Sequence, residues 1–392
     1  VLKSGENFSV IKLEEERQRL SSLLRNHGYY YFRPEFTTYR ADTLLKPGYV
    51  SLQVVPQKGI PSEAKRQFYI GKTSVYLTGY NNESPTDTLS MRTMDIYYSG
   101  DKPGLRPSAL MRNLFFRKGD LFSQDRQTFT QEAIARMNVF KFAEFRYLPK
   151  DTTATCDTLN VMVNATFDQP YDAELELNMT TKSTDQTGPG VAFNLTRKNF
   201  QRMGADLTFG MKGSYEWQTN SNVEGNSSTL NSYELGASLA LEFPRIILPW
   251  KDSGLRRSRF RQHTSFKVYV DLLNRARFFN MLSFGGNVTY DFQRSRTWKH
   301  SITPFQLTFN TLQSTTARFD SITIANPTLA LSLSNQFIPA MNYTLTYDNA
   351  RMRRRHQLWW ETSFTSAGNV TSLIYAAFGK GLNEKDKKLL NS

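Results

Sequence analysis

From Gly188 to Trp217 the chain reads GPGVAFNLTRKNFQRMGADLTFGMKGSYEW, and apolar residues alternate with polar or small ones along most of it. Val191, Phe193 and Leu195 alternate with Ala192, Asn194 and Thr196. After a Lys-Asn-Phe break, Ala205, Leu207, Phe209, Met211 and Tyr215 point one way, and Asp206, Thr208, Lys212, Ser214 and Glu216 the other. A period of two predicts a strand with one apolar and one polar face. A water-soluble sandwich strand fits the same alternation. Length narrows the choice: soluble strands run about five or six residues, whereas a tilted strand crossing a bilayer needs about nine to eleven.

The same pattern recurs from Tyr171 onward. Tyr171–Met179 (YDAELELNM) opens the series, and Tyr233–Phe243 places Leu235, Ala237, Leu239 and Leu241 opposite Glu234, Ser238 and Glu242. Phe266, Val268, Val270 and Leu272 alternate with Lys267, Tyr269 and Asp271. Leu282, Phe284, Val288, Tyr290 and Phe292 alternate with Ser283, Asn287, Thr289 and Asp291. Weaker segments follow at Ile302–Phe309, Thr328–Phe337, Asn342–Tyr347, Gln357–Phe364 and Thr371–Phe378. About eleven strand candidates with polar turns between them predict an antiparallel meander or barrel. No run approaches the ~18 apolar residues of a membrane helix, which excludes a helical membrane protein and leaves a barrel open. Trp217, Tyr233, Trp250, Trp298, Trp359 and Trp360 fall mostly at or near segment ends, the level of a bilayer that amphipathic rings favour.

The first 167 residues carry a diverged internal repeat. KSGENFS (Lys3–Ser9) aligns with RKGDLFS (Arg117–Ser123), matching Gly5 with Gly119, Glu6 with Asp120, Phe8 with Phe122 and Ser9 with Ser123. Each serine sits where a helix N-cap is wanted, and Phe8 and Leu13 have the spacing of a hydrophobic staple. Leu13, Leu20, Leu23 and Leu24 mark one helical face, as do Phe129, Ala133, Ile134 and Met137 in the second copy. Gly28 and Asn138 are left-handed helix stops. Strands are predicted after them at Tyr29–Tyr39 and Tyr49–Val55, and at Val139–Tyr147 and Thr158–Asn164. A polar insertion at about 78–104 separates an opening strand, Arg66–Leu77, from a helix at Leu105–Phe115.

The net charge of +14 raises nucleic acid as a partner, but the cations are scattered and no recognition element accompanies them. RMRRR (Arg351, Arg353, Arg354 and Arg355 around Met352) is the one dense run. It reads as a solvated turn or as a contact to phosphate groups of lipid or lipopolysaccharide. Cys156 is the only cysteine, so no intrachain disulfide forms. His27, His263, His300 and His356 are isolated, and no zinc spacing, nucleophile elbow, phosphate loop or dinucleotide fingerprint is present. No catalytic, cofactor-binding or metal-ligating residue is therefore expected, and Asp206, Glu216, Glu234, Glu242 and Asp271 read as lining of a polar lumen.

The break Asn199, Phe200, Gly204 resembles the Asn-Phe-x-x-x-Gly turn early in the barrel of the BamA/TamA (Omp85) family of outer-membrane proteins. The repeated helix plus hairpin resembles that family's POTRA module (β-α-α-β-β), and LEFPRIILPW (Leu241–Trp250) resembles a strand end of its Bacteroidetes-type members. The resemblance implies α+β POTRA modules followed by an all-β antiparallel transmembrane barrel of roughly sixteen strands, present here in part. The expected domains are a partial module at 1–58, a last module at 66–167 and the N-terminal part of the barrel at 170–392. The family's Arg-Gly-Phe loop is not found, and Gly381–Ser392 is no aromatic terminal strand, so the chain is expected to be a fragment cut inside a module and before the last strands.

What the resemblance implies for function is a non-enzymatic assembly or translocation factor of the bacterial outer membrane, its modules in the periplasm. Clients would be unfolded outer-membrane proteins, with outer-membrane lipid and accessory lipoproteins as further partners and no cofactor. The gate strand would be Tyr171–Met179, with Asp172, Glu174 and Glu176 toward the lumen and Ala173, Leu175 and Leu177 alternating with them. A two-partner-secretion transporter pore and a passive porin or receptor barrel are the alternatives. A soluble β-rich adhesion protein would expose its Leu, Phe and Trp to water and aggregate.

Overall fold

The computed structural model describes residues 2–45, 47–151, 153, 155–182, 186–218, 232–248, 259–275, 278–326, 335–350 and 356–367. The chain divides into two compact units, Val1–Asp168 and Gln169–Ser392.

The first unit opens with helix α1 (Val10–Asn26) and a two-stranded antiparallel hairpin, β1 (Thr37–Asp42) with β2 (Ser51–Pro56). α1 ends in a Schellman arrangement: Tyr29 N–H donates to the Leu24 carbonyl, Gly28 N–H to that of Arg25, and Gly28 takes φ +96°. The strand predicted from Tyr29 is not formed before Thr37. Pro34 instead starts a single 3-10 turn, Pro34–Phe36, where its fixed φ fits. Tyr30 and Tyr31 turn inward and pack edge-on against Phe122 and Phe68.

A five-stranded sheet follows, ordered β4-β5-β3-β7-β6, from β3 (Tyr69–Thr78), β4 (Asp87–Ser90), β5 (Met94–Tyr98), β6 (Phe140–Pro149) and β7 (Thr158–Phe167). Helices α2 (Pro107–Asn113) and α3 (Gln124–Ala135) lie between β5 and β6 in sequence. β3 runs parallel to β7 and to β5, while β6–β7 and β4–β5 are antiparallel. The polar insertion is thus no plain loop: it adds a hairpin along the outer edge of β3. Buried Met94 and Ile96 join Ile70, Val75, Leu77, Leu159, Val161 and Val163 in one apolar core.

The capping serines correct another expectation. Ser9 and Ser123 hold the N-cap positions, but neither hydroxyl caps its helix. Asn26 does so for α3, its Oδ1 accepting from Asp125 N–H at 2.8 Å and from the Ser123 hydroxyl at 3.2 Å. Phe8 is 57% exposed, so it does not clamp a staple.

The described residues of the second unit form a nine-stranded antiparallel meander, each strand paired with its sequence neighbours. Its strands are β8 (Tyr171–Lys182), β9 (Gln186–Phe200), β10 (Ala205–Gln218), β11 (Ser232–Phe243), β12 (Gln262–Arg275), β13 (Phe279–Gln293), β14 (Trp298–Thr315), β15 (Gln336–Asp348) and β16 (Trp359–Ala367). β14 reaches 18 residues, longer than the bilayer-crossing minimum. Between β14 and β15 lies a helix that the alternation did not foretell, α4 (Ala317–Ala325). The Thr316 hydroxyl accepts from Phe319 N–H, and Phe319 buries itself against the Phe279 ring at 5.3 Å. The segment predicted at Asn342–Tyr347 lies within β15, which begins at Gln336, and most of the segment predicted at Thr328–Phe337 lies outside the described residues. The segment Thr371–Phe378, Trp250 and the RMRRR run also lie outside them.

Candidate functional site

Directly paired residues of an antiparallel sheet share a face, so the registers of the meander sort every strand residue. One face carries Leu175, Phe193, Met211, Ala237, Val270, Phe284 and Phe309 in adjoining rows. The other carries Glu174, Asn194, Gly210, Ser238, Tyr269, Gly285 and Thr308. Burial runs opposite to that of a water-soluble sheet. On β9, Val191, Phe193 and Leu195 are exposed while Ala192, Asn194 and Thr196 are half-buried. Val268, Phe284 and Phe305 are likewise exposed, at 57%, 46% and 57%.

The polar face is bound together laterally. Lys212, Gly236 and Asp271 lie in one row across β10, β11 and β12. The lysine side chain crosses over Gly236, where a Cβ would collide with it and with the Asp271 carboxylate. Its Nζ sits 2.7 Å from Glu234 Oε1 and 3.0 Å from Asp271 Oδ1. At the Ser232 end of β11, Arg275 Nη1 reaches Glu216 Oε2 at 3.1 Å. The Tyr269 ring covers Gly285 in the same manner, and its hydroxyl meets Thr308 Oγ1 at 2.9 Å. Thr196 and Thr208 share a hydrogen bond of 3.0 Å, Thr344 and Ser363 one of 2.9 Å, and Thr346 donates to Glu361 at 3.0 Å. Lys212 and Tyr269 thus each skip a strand by lying over a glycine, a link that no single strand's pattern discloses.

Strand β8 differs from its neighbours. Among the described residues it is the edge of the sheet, paired only with β9, and it is exposed on both faces. Asp172, Glu174 and Glu176 share the polar face with Thr196, Asn194 and Ala192 opposite them. Among the described residues none of these three carboxylates makes an ion pair. Ala173, Leu175 and Leu177 occupy the apolar face.

The predicted early turn closes β9 onto β10. Asn199 (φ 55°) accepts from Gly204 N–H through Oδ1 at 3.0 Å, and its carbonyl accepts from Arg202 N–H at 2.9 Å. Gly204 is buried with φ +70°, a conformation that a side chain strains. Phe200 and Tyr171 flank the Arg197 guanidinium, each centroid 5.9 Å from its carbon.

In the first unit Asp95 on β5 is buried and paired with the Lys72 ammonium. That pairing holds its carboxyl below the usual range. Burial pushes the Tyr147 hydroxyl well above the usual phenol value, among Tyr30, Phe116 and Phe122. Among the described residues no group of three or more His, Cys, Asp or Glu side chains is placed to hold a metal ion.

Among solved structures, the chain is similar to BamA from Haemophilus ducreyi lacking POTRA domains 1-3, with a TM-score of 0.38 and 11% identity, covering 96% of this chain and 85% of that one. It is similar to CdiB from Acinetobacter baumannii, with a TM-score of 0.35 and 10% identity over 93% and 67% of the two chains. CdiB from Escherichia coli aligns with a TM-score of 0.37 and 9% identity, over 92% of this chain and 62% of that one. No family model and no curated protein matches the sequence.

Proposed function

We propose that this chain is part of an outer-membrane protein that inserts or translocates other proteins, without enzymatic chemistry of its own. The observation that carries the reading is the inverted sheet of the second unit. Its apolar face is exposed and its polar face is half-buried and tied by cross-strand bonds. Bare Leu, Val and Phe over such an area are stable against acyl chains and unstable against water.

The second element of the reading is strand release at β8. The interior strands β10, β12 and β14 are coupled past their nearest neighbours through Lys212, Arg275 and Tyr269. Among the described residues β8 has backbone pairing to β9 alone, and a run of like charges lies along its polar face. An incoming strand that pairs with β8 satisfies the backbone groups that lipid cannot. Within Tyr69–Phe167 the order is strand, hairpin, two helices, two strands, which fits a POTRA module only if the hairpin is an insertion. The hairpin β4–β5 covers its β3 edge, so β6 is the long edge of that sheet among the described residues and the place where a client adds by β-augmentation. The modules would lie in the periplasm and the sheet in the outer membrane.

The test uses the full-length protein in cells. Cysteines placed along Ala173–Met179 are expected to crosslink to cysteine-bearing nascent barrel proteins. Locking β8 to the barrel's last strand by a disulfide is expected to stop insertion while the folded barrel persists. Normal client insertion through a locked seam would remove strand exchange and favour a pore that threads its substrate.

A further inference from the structure

Sorting the strands by face singles out one residue. Across the described parts of β8–β16, the apolar face holds a single Lys, Arg, Asp or Glu, and it is Arg197. Every other such charge assigned by register belongs to the polar face. Arg197 does not sit in mid-sheet: it lies in the first row of β8, paired with Tyr171 on one side and Leu207 on the other. Its guanidinium is set between the rings of Tyr171 and Phe200, an arrangement that favours a cation by the ring quadrupoles.

A second arginine lies on the same face at the same end. The chain leaving β11 folds back as a short strap, Pro244–Leu248, instead of continuing away from the sheet. The fully buried Thr264 fastens it: its hydroxyl donates to the Arg245 carbonyl at 2.7 Å and accepts from Ile247 N–H at 3.1 Å. Thr264 pairs with Phe243 and Tyr290, which puts the strap on the apolar face. The Arg245 guanidinium lies 6.0 Å from the Phe243 ring centroid, with Ile246, Ile247 and Leu248 half-buried beside it. Further along the same end, Trp298, Tyr347 and Trp360 contact one another as a row of rings.

A cation on a lipid-facing surface is costly at the bilayer centre and tolerated at the level of the headgroups. Arginine there presents a planar fork that matches phosphate in two-point contact. We propose that Arg197 and Arg245 bind the phosphate of a bilayer phospholipid at the end of the sheet where β8 begins. The Ile246–Leu248 strap packs against that lipid's acyl chains. The inference rests on the reading of the sheet as membrane-spanning, and it adds a lipid site next to the strand proposed to open.

The experiment titrates the detergent-purified full-length protein with short-chain phosphatidylglycerol, short-chain phosphatidylcholine and inorganic phosphate, followed by native mass spectrometry. Both lipids are expected to bind, the anionic one more tightly. R197Q or R245Q should weaken phosphatidylglycerol roughly fivefold each and the pair roughly thirtyfold, from about one factor of surface attraction per cation. R197K with R245K should recover only part of the loss, because lysine keeps the charge and lacks the two-point fork, and heat-resistant barrel mobility on gels verifies folding. Unchanged affinity in the folded double variant overturns the site. Inorganic phosphate competing as well as the lipid overturns it as a lipid site. A bimane label at Phe209 or Thr208, read with brominated lipid, separates the two claims. Quenching at neither position would sink the spanning sheet itself. Quenching at Phe209 with arginine-independent lipid binding sinks only the present inference.

Discussion

Replacing Gly236 with valine tests whether the polar face is held together across strands or merely decorated with charges. The new side chain would occupy the space through which Lys212 reaches Asp271, so the lysine must swing away and lose both carboxylates. Lys212 and Glu234 are 52% and 40% exposed, and Asp271 is 26% exposed, so each contact is worth the small amount of a partly solvated pair. That is about 0.2–1 kcal/mol apiece, or roughly 1 kcal/mol for the two together. Valine returns a few tenths of that through strand propensity and reduced chain entropy, on the order of 0.5 kcal/mol. The net cost of G236V alone is therefore small and hard to interpret. The informative quantity is the coupling with K212A. If the lysine acts by lying over Gly236, K212A costs about 1 kcal/mol in the native background and close to nothing in G236V. The cycle should give a coupling near 1 kcal/mol, from reversible urea unfolding of the reconstituted protein. The coupling should shrink as salt is raised, because both pairs are partly exposed. Additivity within about 0.3 kcal/mol would refute the bridge and leave the ladder as a set of independent surface charges.

Arginine at Met211 and at Leu207 should differ in cost although both residues lie on the apolar face. Leu207 shares its row with Arg197 near the start of β10, and Met211 lies four positions further in, roughly 10 Å deeper at a tilt near 40°. M211R should cost ~2–4 kcal/mol and L207R ~0–1 kcal/mol by the same unfolding assay, and equal costs would contradict the depth assignment. Residues 1–168 expressed alone should fold with mixed helix and strand by circular dichroism. Lys72 depresses the folded Asp95 pKa, so the pair contributes stability above about pH 4, lost as pH falls through the folded value. D95N should flatten that acid limb of the stability profile, and an unchanged limb would remove the pair as its cause.

The alternation exposed most of the second unit because period two is a property of one strand, readable without knowing its neighbour. The early turn was legible for a similar reason: Asn199 and Gly204 supply their own positive φ and their own hydrogen bond. What stayed hidden depends on partners distant in the chain. Asn26 caps a helix 97 residues away, a role that neither N-cap serine reveals. Lys212 reaches Asp271 only because β11 places a glycine between them, and that requires two registers at once. The hairpin of Asp87–Ser90 and Met94–Tyr98 was masked by polar composition, although the buried Met94 and Ile96 anchor it in the core, with Leu89, Met91 and Tyr98 packed against that core. Arg197 looked like any cation beside a turn until the face assignment isolated it.

The central claim is that the apolar face of the nine-stranded sheet lies against lipid. Single fluorescent labels at consecutive positions from Leu207 to Tyr215, in the full-length protein in vesicles, test it directly. Quenching by brominated acyl chains should alternate with a period of two, strong at Phe209 and Met211 and weak at Thr208, Gly210 and Lys212. Uniform quenching along β10, or strong quenching at Thr208 with none at Phe209, would contradict the account.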